Sequence, residues 1–328
     1  MLQQQVLITD AAGVIVDMVA ETDAGDGVEN TGLVDFVLKV VTERHFAEQE
    51  IFDAIENAED EMLQNGIVAV GDICNNTLTI PQKNKGRLQY HNFIETSGFI
   101  PALAEGRFQK SWKIFEEYLL TLHTQRSTVC PHAPYSVSPD MFSLINDFPN
   151  NNLLTIHNQE TAAENEFFEK GTGDFLRLYK QMGIDISFFK PTGKTSLQSW
   201  LPHFTKEQTI ILVHNVCASA EDLEIVKLKT NNSKLKTFFC LCPNANLYIS
   251  NILPDVNRLM KHTDNIILGT DSLASNDQLS IWAEIKSLQE NFKELDLSVL
   301  LKWATSNGAK ALQMDNSLGS FEKGKQPG

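Results

Sequence analysis

Positive charge is scarce in this chain. Its 27 Lys and Arg stand against 42 Asp and Glu, a net charge of -15 at pH 7. Such a surface repels phosphate backbones and anionic lipid, so nucleic acid and membrane surfaces are not expected partners. No apolar run approaches the ~18 residues of a membrane span, and Met1-Leu-Gln-Gln-Gln5 lacks the basic start and apolar core of a signal peptide. A cytoplasmic protein is expected. Cysteine is sparse and odd in number: Cys74, Cys130, Cys217, Cys240 and Cys242 lie mostly in or beside apolar runs. They read as reduced core thiols, and Cys240-Leu-Cys242 has the wrong spacing for a redox or zinc motif. No glycine-rich phosphate loop follows the first strand, which argues against a dinucleotide site. Histidine is absent before His45.

What the chain has is length, apolar content and alternation. With 328 residues, 42% of them hydrophobic, it can bury the core of one large α/β domain. Apolar runs of strand length fall at Ile67–Asp72, Leu88–Phe93, Ser127–Pro131, Leu153–His157, Ile210–His214, Thr237–Cys242 and Ile266–Asp271. Helical periodicity fills Glu48–Gln64, Phe108–Thr124, Glu164–Met182, Ala220–Lys229 and Leu279–Phe292. This alternation predicts a parallel sheet with right-handed crossovers, either open or closed. Polar residues at the ends of many strands (Asp72, Glu95, His132, His157, His214, Asn244 and Asp271) favour a closed (β/α)8 barrel, because an open sheet concentrates its site at one switch point.

The most informative stretch is Ile266-Ile-Leu-Gly-Thr-Asp271-Ser-Leu-Ala-Ser275, an apolar run that delivers one carboxylate at its end. Leu153-Leu-Thr-Ile-His157-Asn-Gln-Glu160 and Thr209-Ile-Ile-Leu-Val-His214 end in the same manner. Two His and one Asp at strand ends form the ligand chemistry of a divalent transition metal. Each feature alone also has a structural explanation. A strand-end His is often a hydrogen-bonded core residue, and Asn244 and Asn246 suit the turn chemistry of Pro243-Asn-Ala-Asn246 as well as a site wall. His132 serves equally as a substrate-facing donor or as a tie for the loop bearing Pro131 and Pro134. His45, His91, His123, His203 and His262 lie outside these motifs and read as structural or surface residues.

Taken together, Pro131-His-Ala-Pro-Tyr-Ser136, His157-x-x-Glu160, Val213-His214-Asn215, Cys242-Pro-Asn-Ala-Asn246 and Leu268-Gly-Thr-Asp-Ser272 resemble the amidohydrolase superfamily, in the branch of nucleoside and base deaminases and chlorotriazine hydrolases. The resemblance runs from about Ile67 to the C-terminus. It implies one divalent ion, Zn²⁺ ahead of Fe²⁺, held by two histidines of the first barrel strand together with His157 and Asp271. Glu160 would move protons between metal-bound hydroxide and the substrate nitrogen, and His214 would orient the attacking oxygen. His132, Asn244 and Ser272 would contact substrate, and Glu95 would contact it too, at a ribose, or else pair with a nearby Arg. The implied reaction is hydrolytic deamination of an aminated heterocycle, an adenosine-type nucleoside foremost, with chloride as a variant leaving group.

One departure is prominent. The family's His-x-His and the strand that bears it are absent. Gln5–Val19 reads as a hairpin of the family's accessory β-sandwich, an acidic stretch Glu21–Glu29 follows, and Thr31–Val41 resembles the segment after the His-x-His loop. The expected division is therefore 1–29 in the sandwich, 30–318 in the barrel and 319–328 returning toward the sandwich. A closed parallel barrel cannot drop a strand without exposing two edges. The expectation is that a segment carrying a strand and two histidines belongs between Gly25 and Thr31, with one pair of successive Cα atoms there separated by far more than ~3.8 Å. The alternative is a non-catalytic barrel that binds a small molecule or a partner without the first-strand ligands. Tightly held metal distinguishes the two. A small-molecule substrate is the expected partner, and homodimerisation is left open.

Overall fold

The computed structural model describes residues 5–9, 15–20, 30–42, 47–123 and 125–326. Strands β1 (Gln5–Thr9) and β2 (Ile15–Ala20) form an antiparallel hairpin, in line with the hairpin read from the sequence. The Gly25–Thr31 window, where an omitted segment is expected, lies outside the described residues except for Asn30 and Thr31, and His45 lies outside them too.

Among the described residues, seven parallel strands follow in chain order. Strands β3 (Ala69–Cys74), β4 (Gln89–Thr96) and β5 (Arg126–Pro131) make one sheet. Strands β6 (Leu153–Asn158), β7 (Thr209–His214), β8 (Lys236–Leu241) and β9 (Ile266–Leu268) make a second. Each strand pairs in parallel with its sequence neighbour within its sheet. The sheets adjoin at β5 and β6, where the His157 N–H donates to the His132 carbonyl at 2.9 Å. All six residues of β7 are buried, as expected of a parallel strand covered on both faces.

Helices occupy the crossovers, and local sequence starts and stops them. Ser138 caps the helix Pro139–Asp147 by accepting the Met141 N–H, with Pro139 at its first position. Ser219 and Asp222 exchange bonds in a capping box at the start of Ala220–Asn232. The helix expected over Glu164–Met182 is instead two, Ala162–Lys170 and Phe175–Gln181. Gly171 (φ 68°) and Gly173 (φ 92°) sit between them in left-handed conformations that end a helix whatever the apolar spacing across the gap.

The last strand is also shorter than Ile266–Asp271. It stops at Leu268 because β8 stops at Leu241, and the Gly269 N–H takes the final bond, to the Leu241 carbonyl. Asp271 lies beyond it with φ 59°. One continuous core of strand and helix side chains, including Ile94, Met141, Leu154, Trp200, Phe239 and Leu288, holds the two sheets against the helices. A second, aromatic cluster around Phe99, Phe167, Phe175 and Tyr179 joins the helix Leu33–Thr42 to the crossover after β6. Among the described residues no helix is long and apolar enough to cross a membrane, and all five cysteines are free.

Candidate active site

The ends of β4 to β7 bring four titratable side chains and one following carboxylate together. Glu95 lies in β4, His132 follows β5, His157 lies in β6, His214 ends β7, and Glu160 sits three residues beyond His157. Ligand atoms of Glu95, His132 and His157 all lie within 4.8 Å of one another. The His132 and His157 ring centroids are 4.9 Å apart, and those of His157 and His214 are 5.5 Å apart and nearly parallel.

Each ring is held through one nitrogen, which leaves the other for chemistry. His157 Nδ1 bonds the His132 carbonyl at 2.9 Å and His132 Nδ1 meets Ser136 Oγ at 2.9 Å. His214 Nδ1 accepts from Asn246 Nδ2 at 3.0 Å. The buried His214 Nε2 has no hydrogen-bond partner among the described residues. Glu160 Oε1 is 3.6 Å from it, beyond hydrogen-bond length. Asp271 Oδ2 accepts from Ser275 Oγ at 2.7 Å.

Burial dominates the electrostatics. It pulls His132 and His214 down to about 4, against the raising effect of Asp271 on both. It also lowers His157, with His132 adding to the shift and Asp271 and Glu95 opposing it. Burial pushes Glu95 up to about 7 and Glu160 well above the usual carboxylate range, with the Asp271 and Glu164 charges raising Glu160 further. At neutral pH the three imidazoles are therefore neutral, the form that ligates metals. Burial and the Asp271 charge favour the protonated form of Glu160, and its contact with His214 at 3.6 Å is longer than a hydrogen bond. The Asp271 charge acts on His132, His157, His214 and Glu160 alike.

Strain concentrates here as well. Gln159 (φ 48°), His214 (φ 73°), Asn215 (φ 61°) and Asp271 (φ 59°) all adopt left-handed backbone, at about 1–3 kcal/mol each for residues with a Cβ. The surrounding bonds hold them: the Asn215 N–H donates to the Asn158 carbonyl at 2.9 Å, and the Cys217 N–H to that of Gln159 at 2.9 Å.

Several strand-end residues have other commitments. Asp72 is paired with the buried Lys83, which also donates to Asn92 Oδ1 at 2.8 Å and lies over the rings of Tyr90 and Tyr118. Asn244 donates from its backbone and side chain to Glu284, each at 3.0 Å, and its amide oxygen accepts from Ser287. Ser272 is exposed and accepts from the Ala274 N–H. The site also uses residues that sequence reading missed, namely Ser136 on His132, Ser275 on Asp271 and Glu164 behind Glu160. Each stands four positions from its partner, a weak signal that a search for local clasps would have found.

The profile described as "Amidohydrolase family" matches residues 26–327. The adenosine deaminase of Helicobacter pylori is 30% identical over 281 residues, 83% of this chain and 66% of that relative. A 5-methylthioadenosine/S-adenosylhomocysteine deaminase of Thermoanaerobacter pseudethanolicus is 31% identical over 208 residues, 60% of this chain and 42% of the relative. The chain thus spans less than two thirds of either. Among solved structures, Helicobacter pylori aminofutalosine deaminase in complex with methylthio-coformycin superposes with a TM-score of 0.76 at 23% identity, over 99% of this chain and 77% of that one.

Proposed function

Because the chain belongs to the amidohydrolase family, we propose that it is a metal-dependent hydrolase that deaminates an aminated heterocycle, an adenosine-type nucleoside foremost. The observation that carries this reading is the meeting of His132, His157 and His214 with the buried Glu160 at neighbouring strand ends.

The donor set fits a divalent ion. Glu95, His132 and His157 offer one carboxylate and two neutral imidazoles within 4.8 Å, and the orphaned, buried Nε2 of His214 lies beside them. In this reading His157 and Asp271 would be ligands: His157 belongs to that cluster, Asp271 stands outside it and is tied to Ser275, and the nitrogen and oxygen donors suit Zn²⁺ ahead of Fe²⁺. When bound, such an ion supplies Lewis-acid activation of water.

The chain's own groups do the rest. Glu160 takes up the proton lost by the attacking water and passes it to the substrate nitrogen that departs. Its side chain is buried, which limits exchange of the proton with bulk water. His214, anchored at Nδ1 by Asn246, presents Nε2 to the oxygen that attacks and steadies the charge developing there. Glu95 and His132 line the same space and bind the substrate's polar edge, with Asn244 and Ser272 at its margin.

The same reading makes β3–β9 part of a (β/α)8 barrel and the β1–β2 hairpin part of an accessory β-sandwich. The parallel, sequential order within each of the two sheets and the β5–β6 contact support the barrel. A small-molecule amine as partner, a cytoplasmic location and a homodimeric state belong to this reading too. A second reading, a binding protein without catalysis, is favoured by the absence of any histidine before His45.

The test is ammonia release from a panel of aminated purine nucleosides and pyrimidines, with metal content measured on the same protein. About one equivalent of divalent metal, turnover of at least one amine, and a loss of roughly a hundredfold or more in Glu160→Gln with metal retained are expected. Full turnover in Glu160→Gln would remove Glu160 from the chemistry. A metal-free protein that releases no ammonia would establish the binding reading instead.

A further inference from the structure

Glu160 is set by its backbone. Its contact with His214 is too long for a hydrogen bond, while the turn that carries it is tied at several points. The Gln159 N–H donates to Glu164 Oε1 at 3.1 Å, the Glu160 N–H donates to Glu164 Oε2 at 3.3 Å, and the Ser196 hydroxyl donates to Oε1. Glu164 is fully buried at 0% exposure. The Gln159 side chain is held separately, by Asp222 Oδ2 at 2.9 Å and Asn165 Oδ1 at 3.2 Å. Left-handed Gln159 (φ 48°) is thus clasped on both its main chain and its side chain.

We propose that Glu164 is a positioning residue for the deamination reaction: its carboxylate grips the two successive amides before the helix and so aims the Glu160 side chain at the substrate nitrogen. The inference rests on the reading of Glu160 as the proton carrier. Glu164 is the third residue of the helix Ala162–Lys170, where a carboxylate ordinarily satisfies free amides of the helix itself or of its cap. Here it reaches past the cap, Thr161, to the two residues that precede it. A role confined to helix stability would leave Glu160 indifferent to its loss. A role in aim makes the effect of Glu164 depend on Glu160 being a carboxyl group.

The experiment compares Glu164→Ala and Glu164→Gln, each in the native chain and in the Glu160→Gln background. Glu164→Ala should lower kcat on the order of tenfold to a hundredfold with KM little changed, because a shift of about an ångström in a reacting group has that consequence. In the Glu160→Gln background it should cause no further loss. Losses that multiply would overturn the proposal, since they would mean that Glu164 acts by another route.

A second arm does not depend on turnover. Amide hydrogen exchange at Gln159 and Glu160 should accelerate in Glu164→Ala, with exchange at Leu288 unchanged. Glu164→Gln, the variant to rely on if the alanine does not fold, keeps an oxygen for Gln159 and Ser196 but turns an NH₂ toward Glu160, so Glu160 alone should accelerate. Unchanged exchange at both amides would refute the clasp. If the native protein deaminates nothing, the proposed function fails while this arm still decides whether Glu164 holds the turn.

Discussion

His91 should make the protein acid-sensitive from outside the candidate site. Its side chain is 1% exposed, its ring lies 4.5 Å from that of Phe93, Nε2 meets Thr128 Oγ1 at 2.9 Å, and Nδ1 has no partner among the described residues. An imidazolium there would lose hydration and gain no counter-charge. Burial, with the Arg126 charge adding to it, lowers the group from 6.5 to about 3.

Because the folded pKa lies below the unfolded one, the two states bind protons equally above pH 6.5 and differently below it. The unfolded chain takes up the proton as pH falls from 6.5 toward 3, the folded chain does not, and stability declines through that window. At pH 5 the separation is about 1.5 pH units, or ~2 kcal/mol, and below pH 3 the full loss levels off at ~5 kcal/mol. Urea unfolding of the native chain and of His91→Gln at pH 7 and pH 5 measures this directly. Glutamine can still reach Thr128 and does not titrate. Whatever it costs at pH 7, the native protein should lose ~2 kcal/mol more than the variant between the two pH values. Equal losses would refute the account of His91 as a neutral buried imidazole.

Two further outcomes follow from the site. Asp271→Ala should lose bound metal and activity together, whereas Glu160→Gln keeps the metal; metal analysis of both variants beside ammonia release separates a ligand from a proton carrier. Gly269→Ala would place a Cβ 2.8 Å from Cys240 Sγ and 3.4 Å from Cys242 Sγ, so it should destabilise the β8–β9 end by about 1–3 kcal/mol through overpacking. A denaturation midpoint equal to that of the native chain would show that the strand ends are more loosely packed than described.

The sequence by itself determined the order of elements and singled out residues of the candidate site. Period-two and fully apolar runs mark burial, and burial on both faces marks a parallel strand, so β6 and β7 were legible to within a residue. His157, His214 and Glu160 could be singled out because they stand at the ends of such runs or one turn beyond. Where local chemistry overrides periodicity, at Gly171 and Gly173, the sequence contained the stop signal and the apolar spacing concealed it.

Tertiary structure decided which strand-end groups face one another. Asp72 and Glu95 look equivalent in the sequence, yet Asp72 pairs with the buried Lys83, while Glu95 joins His132 and His157. Asn244 goes to Glu284, forty positions away, and His91, read as structural or surface, is fully enclosed. The reason is physical. A local pattern encodes how much of a residue is buried, whereas its partner and its protonation depend on groups brought from distant parts of the chain, and only the assembled fold sets those distances.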